Sequence, residues 1–211
     1  MDAATLLKTI VALIVVVEPI VAAPVFLSLT QHQSLAQRGR TATRATLAVF
    51  LILLISALIG KLILELFGIS LASFKVAGGI LFLFMGLEMI NAQPSRTRQT
   101  PEETEEAEQK AEHQDDIAIV PMALPLLAGP GAIGSVILLA QKGPFFPHIL
   151  WVAGIIAVVC FAAWICLRLA DRMGKALGKT GLNILSRIMG LIVVAVAVEF
   201  VIGGIKALWT S

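Results

Sequence analysis

The apolar residues of this chain come in blocks about 20 long, and that spacing constrains the fold more than any other feature. About 20 residues of helix, at 1.5 Å each, cross about 30 Å of hydrocarbon. Runs such as LAVFLILLISALIG (47–60) do not alternate apolar and polar residues. A β-barrel would show alternating segments of about 10 residues, so it is excluded. Composition agrees: 58% of residues are hydrophobic and 14% charged, against about 45–50% and about 25% in soluble domains. The net charge of +2 points to no nucleic-acid partner. The chain is an integral protein of the lipid bilayer.

The blocks predict six spans, at 4–29, 46–66, 72–91, 117–141, 149–169 and 185–208. Between the third and fourth lies a stretch, 92–116, rich in glutamate and aspartate and poor in apolar residues. It cannot bury a core and reads as a solvated cytoplasmic linker. The predicted organisation is a first three-helix unit (1–91), this linker, and a second three-helix unit (117–211).

Lys and Arg concentrate in cytoplasmic loops. Arg38, Arg40, Arg44, Arg96, Arg98, Lys110, Arg168, Arg172, Lys175, Lys179 and Arg187 fall in or beside the loops after spans 1, 3 and 5. Lys8, Lys61, Lys75, Lys142 and Lys206 fall on the other side. Both termini are therefore predicted periplasmic.

The two units resemble each other. Pro19 and Pro24 in span 1 are matched, 106 residues on, by Pro125 and Pro130 in span 4. Ala22 and Ala23 pair with Ala128 and Gly129 in the same register. In spans 3 and 6, Gly79 and Glu88 are matched 111 residues on by Gly190 and Glu199. A three-helix unit crosses the membrane an odd number of times, so its second copy enters from the opposite side. The expected fold is all-α, with six transmembrane helices as two inverted three-helix repeats, an architecture common among secondary transporters.

Proline lacks an N–H, so Pro19, Pro24, Pro125 and Pro130 leave carbonyls without helical partners and break spans 1 and 4. Freed backbone groups cost several kcal/mol in hydrocarbon and survive only in packed protein or along a polar cavity. Carbonyls there suit an ammonium, and half-helix N-termini suit a carboxylate. Ala22, Ala23, Ala128, Gly129 and Gly131 let a ligand approach the backbone. The other reading is that the prolines only kink helices that their neighbours tolerate. Glu18, mid-span beside the break, is either a proton carrier or a protonated group hydrogen-bonded to freed carbonyls. Glu199 is the second candidate for ion coupling. Gly78, Gly79, Gly86, Gly190, Gly203 and Gly204 suit close helix contact. Cys160 and Cys166 have no metal-ligand spacing around them, and no cofactor, nucleotide or nucleophile motif is present, so an enzyme is not expected.

Four segments carry a family resemblance: EPIVAAPVFLSLT (18–30), VAGGILFLFMGLEMI (76–90), PMALPLLAGPGAIGSVILL (121–139) and SRIMGLIVVAVAVEF (186–200). At these residues the chain resembles the MarC family of bacterial inner-membrane proteins, which includes SnatA-type transporters. The resemblance implies six spans and transport of small neutral amino acids such as glycine or alanine, with proton coupling. The candidate substrate-binding residues, read from the two broken segments, are Glu18, Pro19, Ala22, Ala23, Pro24, Pro125, Ala128, Gly129, Pro130 and Gly131. The chain departs from the family pattern in span 1. Glu18 stands where that pattern has Asn or Asp, and Val21-Ala22 where it has Gly-Asn. Export of another small metabolite and a non-transporting scaffold role remain alternatives, and a homo-oligomer is open.

Overall fold

The structure is a computed structural model that describes residues 3–30, 33–91, 122–123, 127–143 and 145–209. The acidic linker 92–116 and Pro125 lie outside the described residues.

Every regular element is helical among the described residues. Helix α1 covers Ala3–Val17 and α2 Pro19–Leu29, separated by Glu18 alone. Helix α3 covers Leu35–Leu66, α4 Leu71–Ile90, α5 Pro130–Ala140, α6 Phe145–Arg168 and α7 Ala170–Trp209. Four stretches are long and apolar enough to cross a membrane: Leu35–Leu66, Leu71–Ile90, His148–Arg168 and Asn183–Trp209. Helices α1 and α5 are apolar but shorter.

Helix boundaries follow local chemistry. Ser34 starts α3 with a capping box: its Oγ accepts from Gln37 N, and Gln37 Oε1 accepts from Ser34 N. Ser70 caps α4 by accepting from Ser73 N at 3.0 Å. Gly68, at φ +65, makes the turn between α3 and α4. Helix α3 starts eleven residues before the predicted span at 46. Arg38, Arg40 and Arg44 therefore ride on its first turns instead of in a loop. At 32 residues α3 is about 48 Å long, so its polar first third extends beyond the hydrocarbon. Likewise Arg172 lies on helix α7, which bends at Gly178 (φ +59) before its apolar part. His148, one residue before the predicted span 149–169, lies in α6, with Nε2 2.9 Å from the carbonyl of Leu139 near the end of α5.

The most extensive packing joins the first half of the chain to the second: α4 lies along α7, α3 on α5 and α6, and α1 and α2 on α6. The α4–α7 seam is antiparallel and built on small residues seven apart. These are Ala72, Gly79 and Gly86 on one helix and Gly204, Ala197 and Gly190 on the other. A β-carbon at Gly79 would lie 2.9 Å from both Ala197 O and Val201 N. One at Gly204 would lie 2.9 Å from Ala72 O. Only glycine permits so close a backbone approach, as membrane helices commonly exploit. A seven-residue period keeps one stripe of an α-helix facing its partner along the seam. Gly78, by contrast, has open space where its β-carbon would be.

A second link ties the ends of the bundle. Arg38 donates from Nη1 to Asp171 Oδ1 at 2.6 Å and from Nε to Thr30 O at 2.9 Å. One guanidinium thus joins the end of α2, the start of α3 and the start of α7.

Candidate functional site

The first break sits at Glu18. Its φ of +51 is left-handed, the only positive φ of a non-glycine among the described residues. Such a residue commonly ends a helix, and proline then opens the next. Glu18 N donates to Ile14 O at 2.9 Å, closing α1, and Glu18 O accepts from Ala22 N at 3.1 Å, opening α2. Pro19 cannot donate back to Val15. Helix α2 continues through position 24, so the break in span 1 falls at the first proline of its pair.

In the second half a break falls at Gly129–Pro130. Ala128 N donates to Ala123 O, five positions back, at 2.9 Å. Gly129 is then extended (φ −68, ψ 171), and Pro130 takes the first position of α5. Gly129 has no side chain with which to cap the helix, so the Gly131 and Ala132 amides begin α5 without a side-chain acceptor.

Both breaks are packed. Glu18 is 4% exposed, and Pro19, Ala22, Ala23, Ala128, Gly129 and Gly131 are buried, while Pro130 is exposed. The Phe82 ring lies on Gly131, where a β-carbon would come 2.1 Å from its Cε1. Phe82 in turn meets Phe200 edge-on, with ring centroids 5.2 Å apart.

Next to this core lies a cavity of about 390 Å³ between α1, α4, α5 and α7. Its polar lining is Thr5, Lys8, Thr9, Lys75, Ser135, Lys142 and Glu199. Its apolar lining includes Leu13, Val16 and Phe200. Glu199 stands ten residues, about 15 Å of helix, before the end of α7 at Trp209. A β-carbon at Gly203 would lie 2.5 Å from Lys75 Nζ. The ammonium thus rests on that glycine, one helical turn from Glu199.

Of the predicted site residues only Glu199 lines this cavity. Glu18 lies two residues beyond Val16, and the Phe82–Phe200 pair links the cavity wall to Gly131. The three lysines read from the sequence only as markers of membrane topology. The available signal was helical spacing: Thr5, Lys8 with Thr9, Ala12 and Val16 recur every three or four residues on one face of α1.

A model of the MarC family integral membrane protein matches residues 3–209. The chain belongs to the MarC family. It is 37% identical over 202 residues to UPF0056 membrane protein YhcE of Escherichia coli K12, covering 96% of this chain and 92% of that one. A UPF0056 membrane protein of Buchnera aphidicola from Schizaphis graminum is 38% identical over 210 residues, covering 100% and 96%. The UPF0056 inner membrane protein MarC of Salmonella typhimurium is 32% identical over 205 residues, covering 93% and 91%. No solved structure matches. These MarC relatives are named as membrane proteins or inner membrane proteins, in keeping with the apolar helices described above.

Proposed function

We propose that this MarC-family protein is a secondary transporter of small neutral amino acids of the glycine or alanine type, proton-coupled, in the bacterial inner membrane with both termini periplasmic. The observation that carries the reading is the cavity. The cavity is open on one side, with Thr5, Lys8, Lys142 and Glu199 exposed and Thr9, Lys75 and Ser135 partly buried, and ionisable groups gathered among apolar, membrane-length helices commonly mark a solute path. Lys75 and Glu199 offer opposite charges about one helical turn apart, which suits a zwitterion.

The inverted repeat gives this cavity an alternating-access logic. It is supported by an exchange relation in the α4–α7 seam. Gly79 faces Ala197 and Val201, and Gly190, its match 111 residues on, faces Gly86 and Ile90. Those partners are themselves 111 apart. The cavity lining reaches Val16 and Phe200, and Glu18, Pro19, Ala128 and Gly129 at the breaks are buried. In our reading this is one arm of the cycle. Glu18 is the coupling carboxylate, and the Phe82–Phe200 pair separates the cavity from the α5 N-terminus. The units 1–91 and 117–211, joined by the linker 92–116, then move against each other.

A second reading is transport of another small metabolite on the same scaffold. The excess of three lysines over one glutamate favours an anionic carboxylate. A scaffold without transport would share the packed centre but has no use for the polar cavity.

Site protection tests the proposal. With Cys160→Ala and Cys166→Ala as background, Ser135→Cys should react with a water-soluble thiol reagent, and alanine should slow the reaction. Protection by succinate but not alanine would move the second reading forward. A position 135 thiol that never reacts would remove the cavity from the argument.

A further inference from the structure

Two adjoining hollows lie on the outer side of α3 and α6, where Leu47 and Phe161 are exposed, away from the cavity above. The first, about 320 Å³, is lined by Arg40, Arg44 and Arg168. The second, about 360 Å³, is almost wholly apolar and is lined by Leu47, Phe50, Phe161 and Trp164 among others. Thr43 lines both. The second hollow continues from the first along consecutive turns. It runs from Thr43 to Phe50 on α3 and from Trp164 back to Ala157 on α6, about 10 Å of helix on each.

The cationic end is held in place. The Arg168 Cζ sits 4.9 Å from the centroid of the Trp164 ring. Its guanidinium lies against Gly39, where a β-carbon would be 3.1 Å from Cζ and Nη1. Trp164 Nε1–H donates to Thr43 Oγ1 at 3.0 Å, and that hydroxyl donates to Gly39 O at 2.9 Å. Among the described residues, no carboxylate forms an ion pair with Arg40 or Arg168. Arg168 ends α6, and Arg40 and Arg44 ride the early turns of α3, so the cluster sits at the basic end of the bundle.

We propose that this site binds one anionic phospholipid, its phosphate held by Arg40, Arg44 and Arg168 and an acyl chain lying in the groove beside Leu47, Phe50, Phe161 and Trp164. Guanidinium forks match phosphate oxygens in pairs, and basic pockets between membrane helices on the cytoplasmic side bind anionic head groups. The apolar continuation distinguishes a lipid from free phosphate. The inference stands apart from the transport reading, because it concerns a different surface.

The test uses the full protein purified in a neutral detergent, with lipid titrated and binding followed by native mass spectrometry and thermal unfolding. Phosphatidylglycerol should bind at least about tenfold more tightly than phosphatidylcholine with the same chains, and raise the unfolding midpoint. Arg40→Gln with Arg168→Gln should abolish that preference, and the lipid-induced midpoint shift measured from the variant's own lipid-free midpoint should vanish with it. A short-chain phosphatidylglycerol should bind at least about tenfold more weakly, and inorganic phosphate should have no effect. Equal binding of the two lipids, or a preference that survives the double substitution, would overturn the proposal. So would a midpoint shift with phosphate alone that matches the lipid.

Discussion

Gly86 and Gly190 occupy reciprocal positions: a β-carbon on Gly86 would lie 2.9 Å from Gly190 O, and one on Gly190 would lie 2.8 Å from Gly86 O. The two halves of the chain thus touch backbone to backbone. Gly86→Ala and Gly190→Ala should each lower stability by about 1–3 kcal/mol, the usual range for overpacking. Gly78→Ala, with open space around it, should change stability by less than about 0.5 kcal/mol. Unfolding midpoints of the three variants in one detergent check this, and equal effects at 78 and 86 would refute the seam.

Gly131 tests the covered break. A methyl there meets the Phe82 ring at 2.1 Å, so Gly131→Ala should destabilise by about 1–3 kcal/mol. Phe82→Leu should recover part of that loss when the two are combined. A double-mutant cycle in detergent measures the coupling, expected at about 0.5 kcal/mol or more because the groups touch. Additive losses would mean that Phe82 does not sit on Gly131.

Glu18 tests backbone strain. A left-handed conformation costs a non-glycine residue roughly 1–2 kcal/mol, and a β-branched one more. Measured against Glu18→Gln, which keeps the same backbone demand, Glu18→Gly should be more stable by about 1 kcal/mol and Glu18→Val less stable. The order Gly, Gln, Val in unfolding midpoint is the expected result; a valine variant as stable as glutamine would deny the positive φ.

Much of this fold is legible in the sequence, for a physical reason. Spans 72–91 and 185–208 match α4 (Leu71–Ile90) and the apolar part of α7 (Asn183–Trp209) almost to the residue. Apolar length alone decides such segments. Polar helix does not announce itself that way, so the start of α3 at Leu35 escaped notice although Ser34 and Gln37 form a capping box. The prolines marked breaks at Glu18–Pro19 and at Gly129–Pro130, but not that the helix would run on through position 24. A proline such as Pro24 fits inside a helix when its neighbours tolerate the freed carbonyl. The cavity was least visible. Lys8, Lys75 and Lys142 come from three separate helices, and only packing brings them together.

Arg38 tests the link between the ends of the bundle. It bonds Asp171 and Thr30 O, and its side chain is 18% exposed, against 38% for Asp171. Arg38→Lys keeps the charge but loses the fork. It should lower stability by about 1 kcal/mol, because the half-exposed pair itself adds little. An unchanged midpoint would show that the guanidinium holds nothing together.

The most direct test of the central claim is uptake of labelled glycine and alanine by proteoliposomes of the purified protein, with and without an inward proton gradient, alongside Glu18→Gln. The account predicts saturable uptake that requires the gradient and is lost in Glu18→Gln. No uptake by protein shown to be folded would contradict it.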